Sequence, residues 1–268
     1  MLRILAIFAL AASTGAPATA ESLKAQYSIS LIGLPLGSAT LSAEIGPGYT
    51  IEAYTKLSGV ASMVSNSKGG AKAAGAFANG RPAPASYATT ASNSETTRTV
   101  RMALGGGAVK GVDISPPFEE KPGRVPLAET HKRGVVDPLS ALVMQVPAGQ
   151  PAVGPAACNR TLPVFDGYTR FDVTLAYVGT RNVKTAGYAG PVSVCAARYV
   201  PIAGHRPDRP GTKFMAENRQ MEAWLAPVGT TGVVVPYRIA VRTMVGTTVI
   251  EAKEFVVSGQ TQKAAQSR

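Results

Sequence analysis

Apolar and polar residues alternate along much of this chain. In its first part, one side of the alternation collects apolar residues at Tyr27, Ile29 and Leu31, then at Ala39, Leu41, Ala43 and Ile45, then at Tyr49, Ile51, Ala53 and Leu57. A period of two residues is typical of a half-buried β-strand. Glycine and proline at 33–37 and 46–48 predict the turns between these strands. We therefore expect the fold to begin with an antiparallel meander of three strands.

The same alternation predicts further strands downstream. They lie near 84–92, 97–104, 108–114, 191–200, 216–226, 233–245 and 247–257. Gly105–Gly107 predicts a hairpin turn and not a phosphate cradle, because neither Gly-Lys-Ser/Thr nor a helix follows it. Asp166-Gly167 predicts another hairpin, with apolar residues alternating along its return strand from Phe171 to Tyr177. The segment 61–67 suits either a short helix or an irregular strand.

One segment has the apolar spacing of a helix. Asp137 suits the N-cap and Pro138 the first helical position, and Pro147 ends the segment. The residues that share one helical face are Leu139, Leu142, Val143 and Val146. We expect this helix to lie apolar side down across the sheet and to plug an open end.

A sheet of about a dozen strands must curl to bury its apolar face. The sequence thus predicts an all-β, mainly antiparallel fold: a single large curled sheet forming an open or spiral β-barrel with one or two short helices. Neither an internal repeat nor a linker divides the chain. We expect one domain over residues 21–257, followed by a disordered polar tail over 258–268.

The first 20 residues have the layout of a cleaved secretory signal peptide. A positive charge at Arg3 precedes an apolar run from Ile4 to Ala12, and small residues end the segment at 18–20. We therefore predict cleavage after Ala20 and residence in the periplasm. No later apolar run approaches the roughly 18 residues of a membrane span, so no transmembrane segment is expected after cleavage.

Cys158 and Cys195 are the two cysteines of the chain. In an oxidising compartment such a pair favours a disulfide over two free thiols. A redox-active pair would favour Cys-x-x-Cys spacing, which the chain lacks. The bridge would join the Asp166-Gly167 hairpin to the strand near 191–200.

The composition is basic, with 27 Lys and Arg against 16 Asp and Glu and a formal net charge of +11. This balance favours acidic partners such as anionic lipid headgroups or envelope polymers, although solubility alone also accounts for it. Nucleic acid is not expected as a partner, because the chain is exported and its basic residues are scattered without interleaved aromatic residues.

The sequence offers no catalytic, metal-binding or cofactor motif. His131 and His205 lie in polar segments, and neither belongs to a metal-ligand pattern. The Gly-x-Ser-x-Gly motif of many serine hydrolases is absent. A hydrolase acting on an envelope polymer would need Ser140 or Asp137 to meet one of the two histidines in the fold.

The chain resembles the bacterial envelope family described as domain of unknown function 3108. The residues that carry the resemblance are Gly33 and Gly37, Asp137 to Leu142, Phe165 to Gly167 with Arg170, Cys195, Pro201 to Gly204, Trp224 to Pro227, and Val235-Pro236. The resemblance implies an exported, β-rich protein, and it brings no established activity.

The expected function is non-enzymatic. We predict a periplasmic protein that binds a lipid, a lipoprotein or another hydrophobic envelope component in its curled sheet and supports envelope integrity. Leu139, Leu142, Val143 and Trp224 are the predicted ligand-binding positions.

The segment 201–212 predicts a basic loop. Within it, His205, Arg206 and Arg209 are predicted to contact an anion or a partner protein. An adaptor that presents this loop or a sheet edge to an envelope protein is a third hypothesis, beside the binder and the hydrolase.

Overall fold

The computed structural model describes residues 20–58 and 67–259. Within these ranges, 14 β-strands form one antiparallel sheet. The strands are β1 Glu21–Leu31, β2 Leu34–Ile45, β3 Gly48–Leu57, β4 Lys68–Ala78, β5 Arg81–Ser92, β6 Thr97–Gly105, β7 Ala108–Ser115, β8 Met144–Gln145, β9 Arg160–Phe165, β10 Arg170–Thr185, β11 Tyr188–Ala203, β12 Met221–Val228, β13 Val233–Thr243 and β14 Gly246–Gly259. Two short α-helices lie in the same ranges, α1 Pro155–Cys158 and α2 Pro210–Glu217.

The strand order follows the chain around a curl. It runs β7-β6-β5-β4-β3-β2-β1-β14-β13-β12-β11-β10-β9, and β8 pairs separately with β13. The first and last strands of the domain, β1 and β14, are therefore neighbours in the middle of the sheet, and β7 and β9 are its edges. This arrangement confirms the predicted curled, antiparallel sheet.

The two edges do not pair with each other. The segment 133–136 lies between them, with a bridge from Arg133 to Ala108 of β7 and another from Val136 to Val164 of β9. Backbone hydrogen bonds hold this segment to the β6–β7 turn on one side and to β9 on the other. The sheet is thus an unclosed barrel whose seam is covered by a connecting segment.

The antiparallel pairing places the connections alternately at two ends of the barrel. We call one of them the open end; its turns are Ile32-Gly33, Asn93–Thr96, Asp166–Thr169 and Met244-Val245, and it also holds the 204–220 connection. The opposite end carries the turns Gly46-Pro47, Asn79-Gly80 and Gly106-Gly107.

Buried residues form clusters on both faces of the sheet. The main core contains inward-facing side chains such as Leu23, Ile51 and Phe255. A second cluster contains Leu225 and Val234 on the other face of the later strands, where the segment 144–158 covers it. The cystine belongs to this second cluster: Cys158 and Cys195 are bonded at 2.03 Å, as predicted.

Residues 138–146 do not form the predicted helix. They form one 3-10 turn, Ser140–Leu142, after which the chain enters β8. Asp137 caps this turn as expected, because its Oδ1 accepts the amide hydrogens of Leu139 and Ser140. The helix goes no further because β8 pairs with β13, and a single turn of helix gains too little by itself to resist that pairing.

Two other elements differ from the prediction. The strand expected at 216–226 begins only at Met221, since α2 occupies Pro210–Glu217 with proline at its first turn. The strand β4 was not predicted, because its residues are mostly glycine and alanine.

Some predictions concern segments at the limits of the described ranges. Ser258 and Gly259, assigned to the tail, belong to β14 and pair with β1. Three predicted features lie outside the described residues: the remainder of the tail, the predicted signal peptide up to residue 19, and nearly all of the segment 61–67.

Candidate functional site

A cavity of about 690 Å³ lies inside the barrel at the open end. This volume falls within the roughly 300–1,000 Å³ typical of small-molecule sites. Its apolar lining comes from Ile29, Leu57, Tyr87, Ala91 and Val100. A belt of hydroxyl and amide groups surrounds these residues, from Thr55, Thr89, Ser92, Asn93 and Thr96.

The rest of the interior is filled by the chain itself. Leu139 and Val143, on either side of the 3-10 turn, belong to the main core, and the turn packs against β4, β5 and β13. Its Ser140 accepts a hydrogen bond from Tyr49 at the start of β3, which lies at the opposite end of the barrel. The turn therefore fills the interior away from the open end and leaves the cavity on the other side.

Four side chains form a stacked column at the mouth of the cavity. The guanidinium carbon of Arg98 lies 4.1 Å from the centre of the Phe118 ring. The Phe118 and Tyr168 rings lie 4.1 Å apart, and the guanidinium carbon of Arg124 lies 3.6 Å from the Tyr168 ring. Cation–π contacts of this kind hold a charged group over an aromatic face. The column thus fixes two positive charges beside the mouth.

Arg124 also ties together loops that are distant in sequence. Its Nε donates to the Gly204 carbonyl at 2.7 Å and its Nη2 to the Tyr168 carbonyl at 2.9 Å. A Cβ atom at Gly204 would lie 2.3 Å from that Tyr168 oxygen, and the φ of Gly204 is +78°. Only glycine fits such a close approach with positive φ.

The carboxylate of Asp166 is occupied within its own turn. Its Oδ1 accepts the amide hydrogens of Tyr168 and Thr169 at 2.8 and 2.6 Å, and its Oδ2 accepts the Thr169 hydroxyl. The cationic groups that line the mouth, Lys68 and Arg98, are not ion-paired within the described ranges. Lys68 and Arg98, with Arg124 in the adjoining column, outnumber the single Asp166 carboxylate, so the mouth carries a net positive charge.

Tyr87 supplies a neutral hydroxyl to the cavity wall. Burial raises the pKa of Tyr87 to about 12; a hydrogen bond with Thr89 lowers it, and the charges of Asp137 and Asp166 raise it further. The phenol consequently stays protonated at neutral pH and can donate a hydrogen bond.

A buried polar cluster lies at the 3-10 turn, away from the open end. Tyr49 donates to Ser140 Oγ at 2.7 Å, and Asp137 is fully buried. Burial raises the pKa of Asp137, and hydrogen bonds from Ser140 and Leu139 oppose this shift. Its Oδ2 has no hydrogen-bond partner in the part of the chain the structure describes.

Neither histidine is hydrogen-bonded to the buried cluster. The Nδ1 of His131 accepts the amide hydrogen of Ala128 instead. His205 lies in the loop at the open end, where its carbonyl accepts the amide hydrogen of Val125. The groups required by the hydrolase hypothesis therefore make separate interactions.

The predicted ligand-binding residues lie elsewhere in the fold. Leu139 and Val143 are fully buried and Leu142 is half-buried. Trp224 lies between the guanidinium groups of Arg181 and Arg238, 5.5 and 4.8 Å from its ring centre. None of these four predicted residues lines the cavity at the open end, and their role in binding stays a prediction.

The predicted anion-contacting residues lie at the open end but outside the cavity lining. Arg206 pairs with Asp208 at 2.9 Å, and Arg209 is exposed directly before α2. Their contact with an anion or a partner also stays a prediction. The stacked column was missed because its members share no local motif: Arg98 lies on β6, Phe118 and Arg124 lie in the connection after β7, and Tyr168 lies in the turn after β9.

In residues 20–58 and 67–259, no group of His, Cys, Asp and Glu side chains is arranged to hold a metal ion. No helix there is long and apolar enough to cross a membrane.

Comparisons with known proteins agree with the fold. A family model described as "Protein of unknown function (DUF3108)" matches residues 26–253. No curated protein is similar enough to match the chain. Among solved structures, a similar one is the crystal structure of a beta-barrel-like protein of domain of unknown function DUF1849 from Brucella abortus, with 11% identity, a TM-score of 0.52, and 90% of this chain and 98% of that chain covered. At this identity the likeness concerns the fold alone.

Proposed function

The chain belongs to the DUF3108 family of proteins of unknown function, and we propose that the open end of its barrel binds an anionic amphiphile, a molecule with an apolar chain and an acidic headgroup. The role is non-enzymatic. The setting we propose is the periplasm, where the ligand would be a lipid, the acyl part of a lipoprotein or another hydrophobic envelope component. Binding it would support envelope integrity.

The observation that carries the proposal is the mixed lining of the cavity. Ile29, Tyr87 and Val100 supply apolar surface, and Thr55 and Thr96 supply hydroxyl groups. An apolar chain gains free energy by leaving water for such a surface. A fully polar ligand would bury no apolar surface of its own against this wall, and binding would not gain that free energy.

The charge of the mouth selects the headgroup. Lys68 is exposed at the rim, and Arg98 is held over Phe118 with its Nε donating to the Pro116 carbonyl at 2.9 Å. The other guanidinium nitrogens of Arg98 make no hydrogen bond or ion pair in the described part of the chain, so they can bind a ligand. Carboxylate and phosphate oxygens are the acceptors that such a group binds best.

A fluorescent fatty acid tests this proposal in solution. The purified protein is titrated with dansyl-undecanoic acid and, separately, with its uncharged methyl ester. We expect saturable binding of the acid with a Kd in the micromolar range, and binding of the ester that is about tenfold weaker or more. Equal binding of acid and ester would contradict the assigned role of the basic mouth.

Two neighbouring substitutions locate the binding site. Ala91→Trp places an indole ring in the cavity, whereas Thr90→Trp places the same ring on the opposite face, where Thr90 bonds to Thr99. We expect the first variant to lose binding of the acid and the second to keep it, with both variants folded by circular dichroism. Binding that survives Ala91→Trp would refute the proposed site.

A further inference from the structure

Four large apolar side chains are exposed on two turns at the open end. Ile32 and Leu34 are 68% and 69% exposed, and Met244 and Val245 are 61% and 71% exposed. The turns are neighbours because β1 pairs with β14, and the Ile32 amide donates to the Thr247 carbonyl at 3.0 Å. We call these four residues the apolar rim.

The conformation of Ile32 makes its presence costly. Ile32 and Gly33 form a two-residue hairpin turn with φ of +52° and +79°. The chain makes a matching turn with Asn79 and Gly80, with φ of +52° and +72°. Asparagine and glycine suit such a turn, whereas a β-branched residue at positive φ is strained. Isoleucine at this position is thus unfavourable both for the backbone and for solvation.

Unpaired basic side chains lie at the same end of the barrel as the apolar rim. Arg242 is exposed beside Met244, and Lys56 and Lys68 are exposed and lie opposite each other on β3 and β4. None of these three is ion-paired in the described ranges. The exposed carboxylates of Glu95 and Glu217 lie in connections at the same end, and Asn218, next to Glu217, bonds to the Arg242 carbonyl. With exposed Arg219 also in the 204–220 connection, these carboxylates offset only part of the positive charge.

We infer that the apolar rim inserts into the interface of an anionic lipid bilayer. Exposed apolar side chains flanked by cations are the combination that binds such an interface, through burial of the apolar groups and attraction to the headgroups. This orientation turns the mouth of the cavity toward the membrane. The inference goes beyond the binding of an amphiphile and does not depend on whether the cavity is occupied.

Flotation with lipid vesicles tests the inference. The full-length mature protein is mixed with phosphatidylcholine vesicles that do or do not contain one part in three of phosphatidylglycerol. We expect the protein to float with the anionic vesicles, to remain in solution with the neutral ones, and to be released by high salt. Failure to float, or equal flotation with both vesicles, would overturn the inference.

Ile32→Asn is the decisive variant, because it gives the first hairpin the turn residues of the second. We expect it to reduce partitioning into anionic vesicles by about tenfold or more, while Tm stays unchanged or rises. The matched control is Val178→Asn, which removes an apolar side chain that is 65% exposed at an irregularity of β10. Its partitioning should equal that of the wild type.

The outcomes separate this inference from the proposed function. Unchanged partitioning of Ile32→Asn would overturn the inference, and so would an equal loss in Val178→Asn. The variant Ala91→Trp should float like the wild type while losing the soluble fatty acid. Conversely, a protein that binds the fatty acid but never floats would refute the membrane contact and leave the cavity proposal intact.

Discussion

Replacing Arg124 with alanine should loosen the loops around the mouth of the cavity together. The guanidinium group bonds to the carbonyls of Gly204 and Tyr168 at 2.7 and 2.9 Å and stacks 3.6 Å from the Tyr168 ring centre. These contacts join the 116–125 segment, the Asp166–Thr169 turn and the 204–209 loop. No other side chain in the described ranges makes all three connections.

The magnitude follows from the individual contacts. A hydrogen bond from a charged donor contributes roughly 1.5–3 kcal/mol, and a cation–π contact contributes about 0.5–2 kcal/mol. Arg124 is half-buried, so water replaces part of what is lost, and we expect a cost of about 3 kcal/mol. Arg124→Lys retains the charge without the forked geometry and should lose about half of this amount.

Hydrogen exchange measures this effect where it occurs. The amides of Val125 and Gly204 bond to the carbonyls of His205 and Val125 across the joined segments. A loss of about 3 kcal/mol corresponds to exchange more than about 100-fold faster at these amides. Exchange in β1 should be unchanged. If the Val125 and Gly204 amides exchange at the wild-type rate in Arg124→Ala, the guanidinium does not hold the mouth together and the reasoning fails.

Three further predictions concern stability. Replacing both cysteines, Cys158→Ala and Cys195→Ala, opens a loop with a sequence separation of 37. The free energy of unfolding, measured by urea titration, should fall by about 4 kcal/mol. A loss below about 1 kcal/mol would show that this bridge does not constrain the unfolded state. Burial raises the pKa of Asp137, so its contribution to stability is full below the unfolded pKa of about 3.9 and is lost as pH rises through the folded pKa. Asp137→Asn keeps the capping oxygen but cannot ionise. The free energy of unfolding of this variant, relative to that of the wild type, should therefore increase from about pH 4 upward. A difference that does not change with pH would contradict the raised pKa of Asp137. Gly204→Ala should lower Tm far more than Gly107→Ala, because both have positive φ but only Gly204 lacks space for a Cβ atom; equal losses would refute the close approach.

The sequence was most informative where large apolar residues alternate with polar ones. The strands β1, β2 and β3 each bury such residues on one face. A one-residue shift in the pairing register of a strand would turn all of these side chains toward solvent. The pattern therefore predicts both the strand and the face of the sheet on which its apolar residues lie. The disulfide was equally predictable, because the chain has two cysteines and an oxidising compartment was expected from its N-terminal residues.

The sequence was least informative where tertiary pairing decides the local structure. Residues 139–146 have helical spacing, yet several of them are buried on more than one side and the chain leaves the turn to pair with β13. The stacked column brings together three parts of the chain: Arg98 on β6, Phe118 and Arg124 after β7, and Tyr168 after β9. The curl of the sheet makes them neighbours. In the sequence, Gly204 was recognised only as part of the family resemblance. The structure explains why glycine is needed there, since the backbone of Gly204 closely approaches the Tyr168 carbonyl.

The strand that was missed and the cavity have the same physical origin. β4 reads Lys68-Gly-Gly-Ala-Lys-Ala-Ala-Gly-Ala-Phe-Ala78, and the absence of large apolar residues from most of it removes the alternation by which a strand is predicted. The same small residues leave unfilled the space that larger side chains would occupy, and Gly69 lies in the cavity wall. A strand that is not at the edge of a sheet needs no large side chains of its own when both neighbours pair with it along its length, as β3 and β5 do with β4. Backbone pairing therefore holds β4 in place, and its residues are free to be small at the point where an interior site requires room.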